Sequence, residues 1–172
     1  NSQSRPIEDE LRRGGVPYQI IGGVKFYDRK EIKDVLAYLK LIVNHSDSVS
    51  FTRIVNFPAR GIGKGTIEKI EQYSKDNNIS FYEVLKNPES LNISLKQKKT
   101  LKNFYDLIYL YRNRCEKENA SSIVKDLLKE INLKNYYEKQ QTTDALDRWH
   151  NIEELISSIS EFEDNGEDGS LV

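Results

Sequence analysis

The densest group of residues with chemical potential is Gly61-Ile62-Gly63-Lys64-Gly65-Thr66. Glycines around a lysine let backbone N–H groups converge on a phosphate, so the segment invites comparison with a nucleotide-binding loop. It fails that comparison on three counts. Lys64 is followed by Gly65 where the loop needs Ser or Thr, no glycine stands at the required upstream spacing, and no strand pattern feeds into it.

The same residues fit a different device. From Ile54 the chain runs through Pro58, Arg60 and the Gly61-Ile62-Gly63 turn into a second apolar-periodic stretch with Ile67 and Ile70. This resembles a helix-hairpin-helix element over about residues 50–76. Glycines permit a tight hairpin whose amides face outward at the positive end of the next helix. One backbone phosphate can then be held without any base being read. On this reading Arg60, Gly61, Ile62, Gly63, Lys64 and Thr66 make a sequence-independent duplex-binding site, with Arg60 and Lys64 supplying the charge. The plainer alternative is a glycine turn between two packed helices.

Other reactive side chains do not assemble. His45 and His150 lie far apart without ligand spacing, and both read as structural or solvent-exposed. Cys115 falls on an inward helical stripe, which suits a small buried hydrophobe better than a nucleophile. The carboxylates are scattered over solvated helix faces, where nearby lysines pair with them. The sequence therefore predicts no metal site, no catalytic residue and no ATP hydrolysis by this chain alone.

Composition narrows the setting. The 172 residues suffice for one domain with a real core, or one domain plus a short appendage. No apolar run is long enough to span a bilayer, no signal peptide opens the chain, and the single cysteine excludes an internal disulfide. A cytoplasmic protein without membrane partners is expected. A net charge of −1 offers no global attraction to nucleic acid, so binding would rest on a local patch. The chain contains no methionine and begins at Asn1, which reads as a piece of a longer protein.

The elements that must position these residues are mostly helices. Tyr18–Ile21 and Val24–Tyr27 flank Gly22-Gly23 and carry the one strand signal. They form either a two-residue hairpin or one strand followed by a glycine loop. From Asp28 onward the pattern is helical. Asp28 and Glu31 have capping-box spacing ahead of Ile32, Val35, Leu36 and Leu39. Short helices follow over roughly 49–56 and 64–76, and another begins at Ser80. Ser94 and Gln97 open the longest helix, with Leu101, Phe104, Ile108, Tyr111 and Cys115 inward. Helices are expected over 122–130 and through Tyr136-Tyr137. The last places Leu146, Trp149, Ile152, Ile156 and Ile159 on one face. The fold class is mainly α, with a small N-terminal β element.

The two ends of the chain carry a family likeness. Asn1-Ser2-Gln3-Ser4-Arg5, with Ile7, Glu8 and Leu11 behind it, resembles motif IV of the UvrD/PcrA/Rep helicases. Val16–Gly23 and then Phe26–Asp34 resemble the exit from the family's 2A motor domain into its 2B domain. Arg60-Gly61-Ile62-Gly63 stands where 2B carries a Gly-Ile-Gly hairpin, and Asn151–Leu155 with Phe162 resemble the helix that closes 2B. Between about Ser80 and Thr143 the likeness rests on helix pattern alone. The Walker loop, the magnesium-binding carboxylates and motifs V and VI are not in these residues.

The resemblance implies a division into a 2A stub over 1–27 and a helical 2B domain over 28–172. It implies a parent enzyme that uses ATP and magnesium to move 3′→5′ along DNA, with domains 1A, 1B and 2A as partners. Asn1, Gln3, Ser4 and Arg5 would belong to motif IV, Arg5 reaching the ATP γ-phosphate in the parent, and 2B would contact duplex and regulate unwinding in repair or replication. Two other classes fit less of the sequence. A free-standing helix-hairpin-helix module has no need of the Asn-x-Gln-Ser-Arg segment, and a helical protein-interaction domain has no need of the cation-flanked glycine turn.

Overall fold

A computed structural model describes residues 24–164; the motif IV positions Asn1, Gln3, Ser4 and Arg5, the run Tyr18–Ile21 and the segment 165–172 lie outside them. Among the described residues all regular structure is helical. In order these are α1 (Val24–Tyr27), α2 (Lys30–Val43), α3 (Ser48–Ile54), α4 (Lys64–Asn77), α5 (Phe81–Lys86), a 3₁₀ turn (Pro88–Ser90), α6 (Leu95–Cys115), α7 (Ala120–Glu130), α8 (Leu133–Glu138) and α9 (Thr143–Asp164).

The second strand that the hairpin reading placed at Val24–Tyr27 is instead the single helical turn α1. Tertiary packing overrides the local β preference there. Phe26 is buried in the same core as α2, and its ring meets Tyr27 edge-on at 5.4 Å. The expected capping box at Asp28 and Glu31 is also absent. Arg29 is the N-cap and gives no side-chain cap, Asp28 pairs with Lys33 at 2.8 Å, and Glu31 is buried. Glu31 instead accepts from Asn151 at 2.7 Å, and Asn151 accepts from Arg29, which ties the start of α2 to α9.

α2 is the centre of the bundle and packs against α3, α6 and α9. Its core face is wide, from Ile32 through Val35, Leu36, Tyr38, Leu39 and Leu41 to Ile42. α3 begins at an Asp47 N-cap that accepts from the Ser50 amide at 2.9 Å. α6 opens on a complete Ser94–Gln97 capping box and buries the inward stripe read from the sequence: Leu101, Phe104, Ile108, Tyr111 and Cys115. In α9 the inward face is rotated from expectation. Ala145, Ile152, Leu155 and Ile159 are buried, Trp149 and Ile156 are half-buried, and Leu146 faces out. No helix among the described residues is long and apolar enough to cross a membrane.

Candidate nucleic-acid interface

The segment 55–63 leaves α3 and enters α4. The two helices do not chiefly pack on each other: α3 rests on α2 and α4 on α5. What holds the segment in shape is therefore its own polar network. The Phe57–Pro58 peptide is cis. Asn56 Oδ1 accepts from two amides, Arg60 N at 2.8 Å and Ile62 N at 3.0 Å, drawing both inward. The Ile62 side chain is buried and pins the middle of the turn to the core.

Arg60 departs from the sequence expectation. It does not stand at the surface as a free charge beside the glycines. Its Nη1 donates to Phe57 O at 2.7 Å and Ile54 O at 2.9 Å, and Nη2 donates to the Tyr38 hydroxyl. The guanidinium also lies over the rings of Phe104 at 5.1 Å and Tyr38 at 5.8 Å. Tyr38 in turn donates to Phe57 O, and burial pushes its hydroxyl pKa up despite the opposing charge of Arg60. The physical reason is the end of α3: its last carbonyls have no partner within the helix, and a guanidinium fork satisfies several at once. Asn56, Tyr38 and Phe104 are thus parts of the turn that periodicity alone did not single out.

Thr66 also faces inward. It is buried, and its Oγ1 accepts from Gln97 Nε2 at 2.8 Å, which fixes the first turn of α4 against the first turn of α6. Lys64, by contrast, is an outward cation. Its side chain is 91% exposed and, among the described residues, has only Glu68, at 3.7 Å, as an ionic neighbour.

The glycines differ among themselves. Gly61 has φ +78°, a conformation that strains any residue with a Cβ. Gly63 is the N-cap of α4 with φ −83°, which any residue adopts, so the conformational need expected for it does not exist. A Cβ added at Gly61, Gly63 or Gly65 would meet nothing within 4 Å. Neither backbone conformation nor packing therefore requires glycine at position 63, and packing does not require it at 65. The amides of Gly63, Lys64 and Gly65 have no acceptor among the described residues, as the opening N–H groups of a helix have none of their own. The outcome is a bare, open surface of backbone donors with one exposed cation, Lys64, beside it.

This asymmetry gives a direct stability test. Gly61→Ala is expected to lower unfolding free energy by about 1–2 kcal/mol, the usual penalty of the left-handed region. Gly63→Ala is expected to change it by less than about 1 kcal/mol, because reduced unfolded-state entropy offsets a poorer N-cap. Urea denaturation of both variants measures this, and equal losses would contradict the geometry.

The remaining reactive residues have structural settings. Cys115 is buried, and burial pushes its thiol pKa up to about 11. His45 Nδ1 lies 2.6 Å from Arg112 Nη1 with the ring against Tyr82, while His150 is exposed beside Glu153 at 3.0 Å.

Comparison with known proteins covers the chain almost end to end. The sequence pattern of the UvrD-like helicase C-terminal domain matches residues 1–171. The ATP-dependent DNA helicase PcrA of Bacillus subtilis strain 168 is 38% identical over 172 residues, covering 100% of this chain and 23% of the relative. PcrA of Staphylococcus aureus strain Mu50 is 37% identical over 165 residues, covering 96% of this chain and again 23% of the relative. The chain thus spans less than a quarter of the length of these curated relatives. With the family pattern running from the Asn1 motif through the last helix, the chain belongs to the UvrD-like helicase C-terminal domain family.

Proposed function

We propose that the chain is the 2B region, with the adjoining edge of motor domain 2A, of an ATP-dependent 3′→5′ DNA helicase. Its task is to grip the duplex backbone without reading sequence and so to regulate unwinding. The observation that carries this reading is the open row of free amides at Gly63, Lys64 and Gly65, bare of side chains although packing asks for none of that bareness. A phosphate oxygen is the ligand such donors suit, since it accepts several hydrogen bonds and favours the positive end of α4. Lys64 adds a charge to the contact, while Arg60, Ile62 and Thr66 hold the hairpin rigid from behind.

In the parent enzyme, residues 1–27 form the 2A side of the junction, and Asn1, Gln3, Ser4 and Arg5 belong to motif IV. Arg5 would stabilise charge developing on the transferred phosphoryl group. ATP and magnesium are bound with the help of the other domains, 1A, 1B and the rest of 2A, in a cytoplasmic enzyme of DNA repair or replication.

The test is amide chemical-shift perturbation of this chain titrated with a short duplex at two salt concentrations. Binding near 10⁻⁴ M at physiological salt is expected, with a log–log salt slope of about −2 to −3. The largest shifts should fall on 61–65, Gly61→Val should abolish them, and Lys64→Ala should flatten the slope by about one unit. Shifts that cluster elsewhere, or that survive Gly61→Val, would reduce the hairpin to a packing turn.

A further inference from the structure

Away from the hairpin, α7, α8 and α9 pack on one another and leave a groove of about 440 Å³ between them. Its floor is carbon. Leu128 of α7 is buried there, and Trp149 and Ile156 of α9 stand half-buried on one strip of the helix, seven residues apart. Trp149 is the chain's single tryptophan, and its ring is held in place. Its Nε1 donates to Glu153 at 2.7 Å, which commits the polar edge of the indole and leaves the rest of the ring as an apolar wall.

The rim is cationic. Lys125, Lys129 and Lys134 line the groove against one carboxylate, Glu138, in a chain whose net charge is −1. Lys134 lies 3.8 Å from Glu138, with its ammonium 6.0 Å from the centre of the Trp149 ring. Lys125 reaches the Ser160 hydroxyl at 3.4 Å and Lys129 is exposed; neither has a carboxylate partner among the described residues. The nearby Glu153 is already committed, to Trp149 and to His150 at 3.0 Å. Asn132 and Asn135 add side-chain amides that have no hydrogen-bond partner among the described residues. Lys134 at Trp149 and Lys125 at Ser160 mark two ends of the groove ~16 Å apart along α9, the length of about five extended residues.

We propose that this groove docks an acidic segment of a partner protein, which sets an apolar side chain against Trp149 and Ile156 and its carboxylates against Lys125, Lys129 and Lys134. Charge complementarity selects this occupant: the lysines gather a local positive rim on a chain of slightly negative net charge. The two free asparagine amides can pair with the main chain of such a segment, which always offers both a donor and an acceptor. A nucleic-acid strand suits the groove less well. Its phosphates would lie across a carbon floor, and the Trp149 face on which a base would stack is covered by Lys134. The proposal is independent of the hairpin reading.

The experiment follows Trp149 emission in the 172-residue chain during titration with the peptide Glu-Asp-Leu-Asp-Phe-Glu-Asp-Leu. A saturable change is expected. K125A/K129A/K134A should weaken binding about tenfold or more, and the control K75A/K86A/K117A, three exposed lysines outside the groove, by less than about twofold. Circular dichroism checks that both variants are folded. On the original protein, a peptide with Lys for each acid should not bind, and one with Ser for each apolar residue should bind about tenfold more weakly. No change in emission up to about 1 mM peptide overturns the proposal. Equal weakening in the two lysine variants, or full binding of the serine peptide, also overturns it, because attraction would then be to net charge alone. Displacement of the peptide by a short duplex would assign the groove to nucleic acid instead. Self-association in sedimentation that K125A/K129A/K134A abolishes would assign it to a second copy of the chain.

Discussion

Arg60→Ala is expected to destabilise the chain by about 3 kcal/mol, although Arg60 sits in a surface turn. The estimate comes from charge-assisted hydrogen bonds worth roughly 1.5–3 kcal/mol each, some of which solvent will replace, plus cation–π contacts of about 0.5–1 kcal/mol. The carbonyls of Ile54 and Phe57 lose a charge-assisted donor, keeping only the Phe57 amide and the Tyr38 hydroxyl respectively, and Tyr38 and Phe104 lose the plane that covers them. For a chain of this size that corresponds to a melting temperature lower by roughly 6–12 °C. Arg60→Lys should recover little, because an ammonium cannot span the carbonyls and the tyrosine hydroxyl as a planar fork does. Calorimetry on both variants tests this. A loss below about 1 kcal/mol for the alanine variant would mean that Arg60 is the free surface charge its position in the sequence suggests.

A second large effect is expected at the ion pair between α2 and α3. Asp34 is buried at the core edge and accepts from Arg53 Nε at 2.7 Å, while Arg53 Nη2 also reaches Lys30 O at 3.2 Å. Arg53→Ala leaves a buried carboxylate without its counter-charge and should cost about 3 kcal/mol at neutral pH, the lower end for a broken buried pair because Arg53 is partly exposed. The pH dependence gives the mechanism away. Burial raises the Asp34 pKa above its ordinary 3.8, against the lowering pull of Arg53 and Lys30. A carboxyl whose folded pKa exceeds its unfolded one binds more protons when folded. Its contribution to stability therefore falls as pH rises from about 3.8 through the raised folded value. Removing Arg53 removes the pull and widens that window. The deficit of Arg53→Ala should shrink as pH is lowered and Asp34 becomes neutral, and the double variant with Asp34→Asn should recover part of the loss. A deficit independent of pH, in denaturation series from pH 4 to 8, would show that lost packing of the arginine stem is the cause.

Local rules carried far in this chain where one residue's neighbours along the chain dominate its environment. The Ser94–Gln97 box, the Ser80 cap on Glu83 N and the stripe from Leu101 to Cys115 were legible because caps and 3.6-residue periodicity are properties of a single helix. Gly61 was legible because a positive φ is a one-residue requirement. The motif at Asn1–Arg5 and the Gly-Ile-Gly turn were enough to indicate the family, since residue identities at fixed spacing need no coordinates to be compared.

Only the tertiary structure decided which side of each polar residue faces the fold. Residues 24–27 have the composition of a strand, yet Phe26 finds its burial site on the helical bundle, and the chain coils to deliver it. Glu31 has capping spacing, but Asn151, far away in sequence, gives it a better partner. The inward face of α9 keeps Ile152 and Ile159 but shifts toward Ala145 and Leu155, exposing Leu146, because α2, α7 and α8 together set which side is covered. The hairpin shows the same division. Sequence placed Arg60 and Lys64 on either side of the glycines with equal charge and equal reach. The carbonyls of Ile54 and Phe57 at and just beyond the end of α3, with the Tyr38 hydroxyl and the Phe104 ring, pulled Arg60 inward, and Lys64, which has no such group of acceptors, was left to solvent.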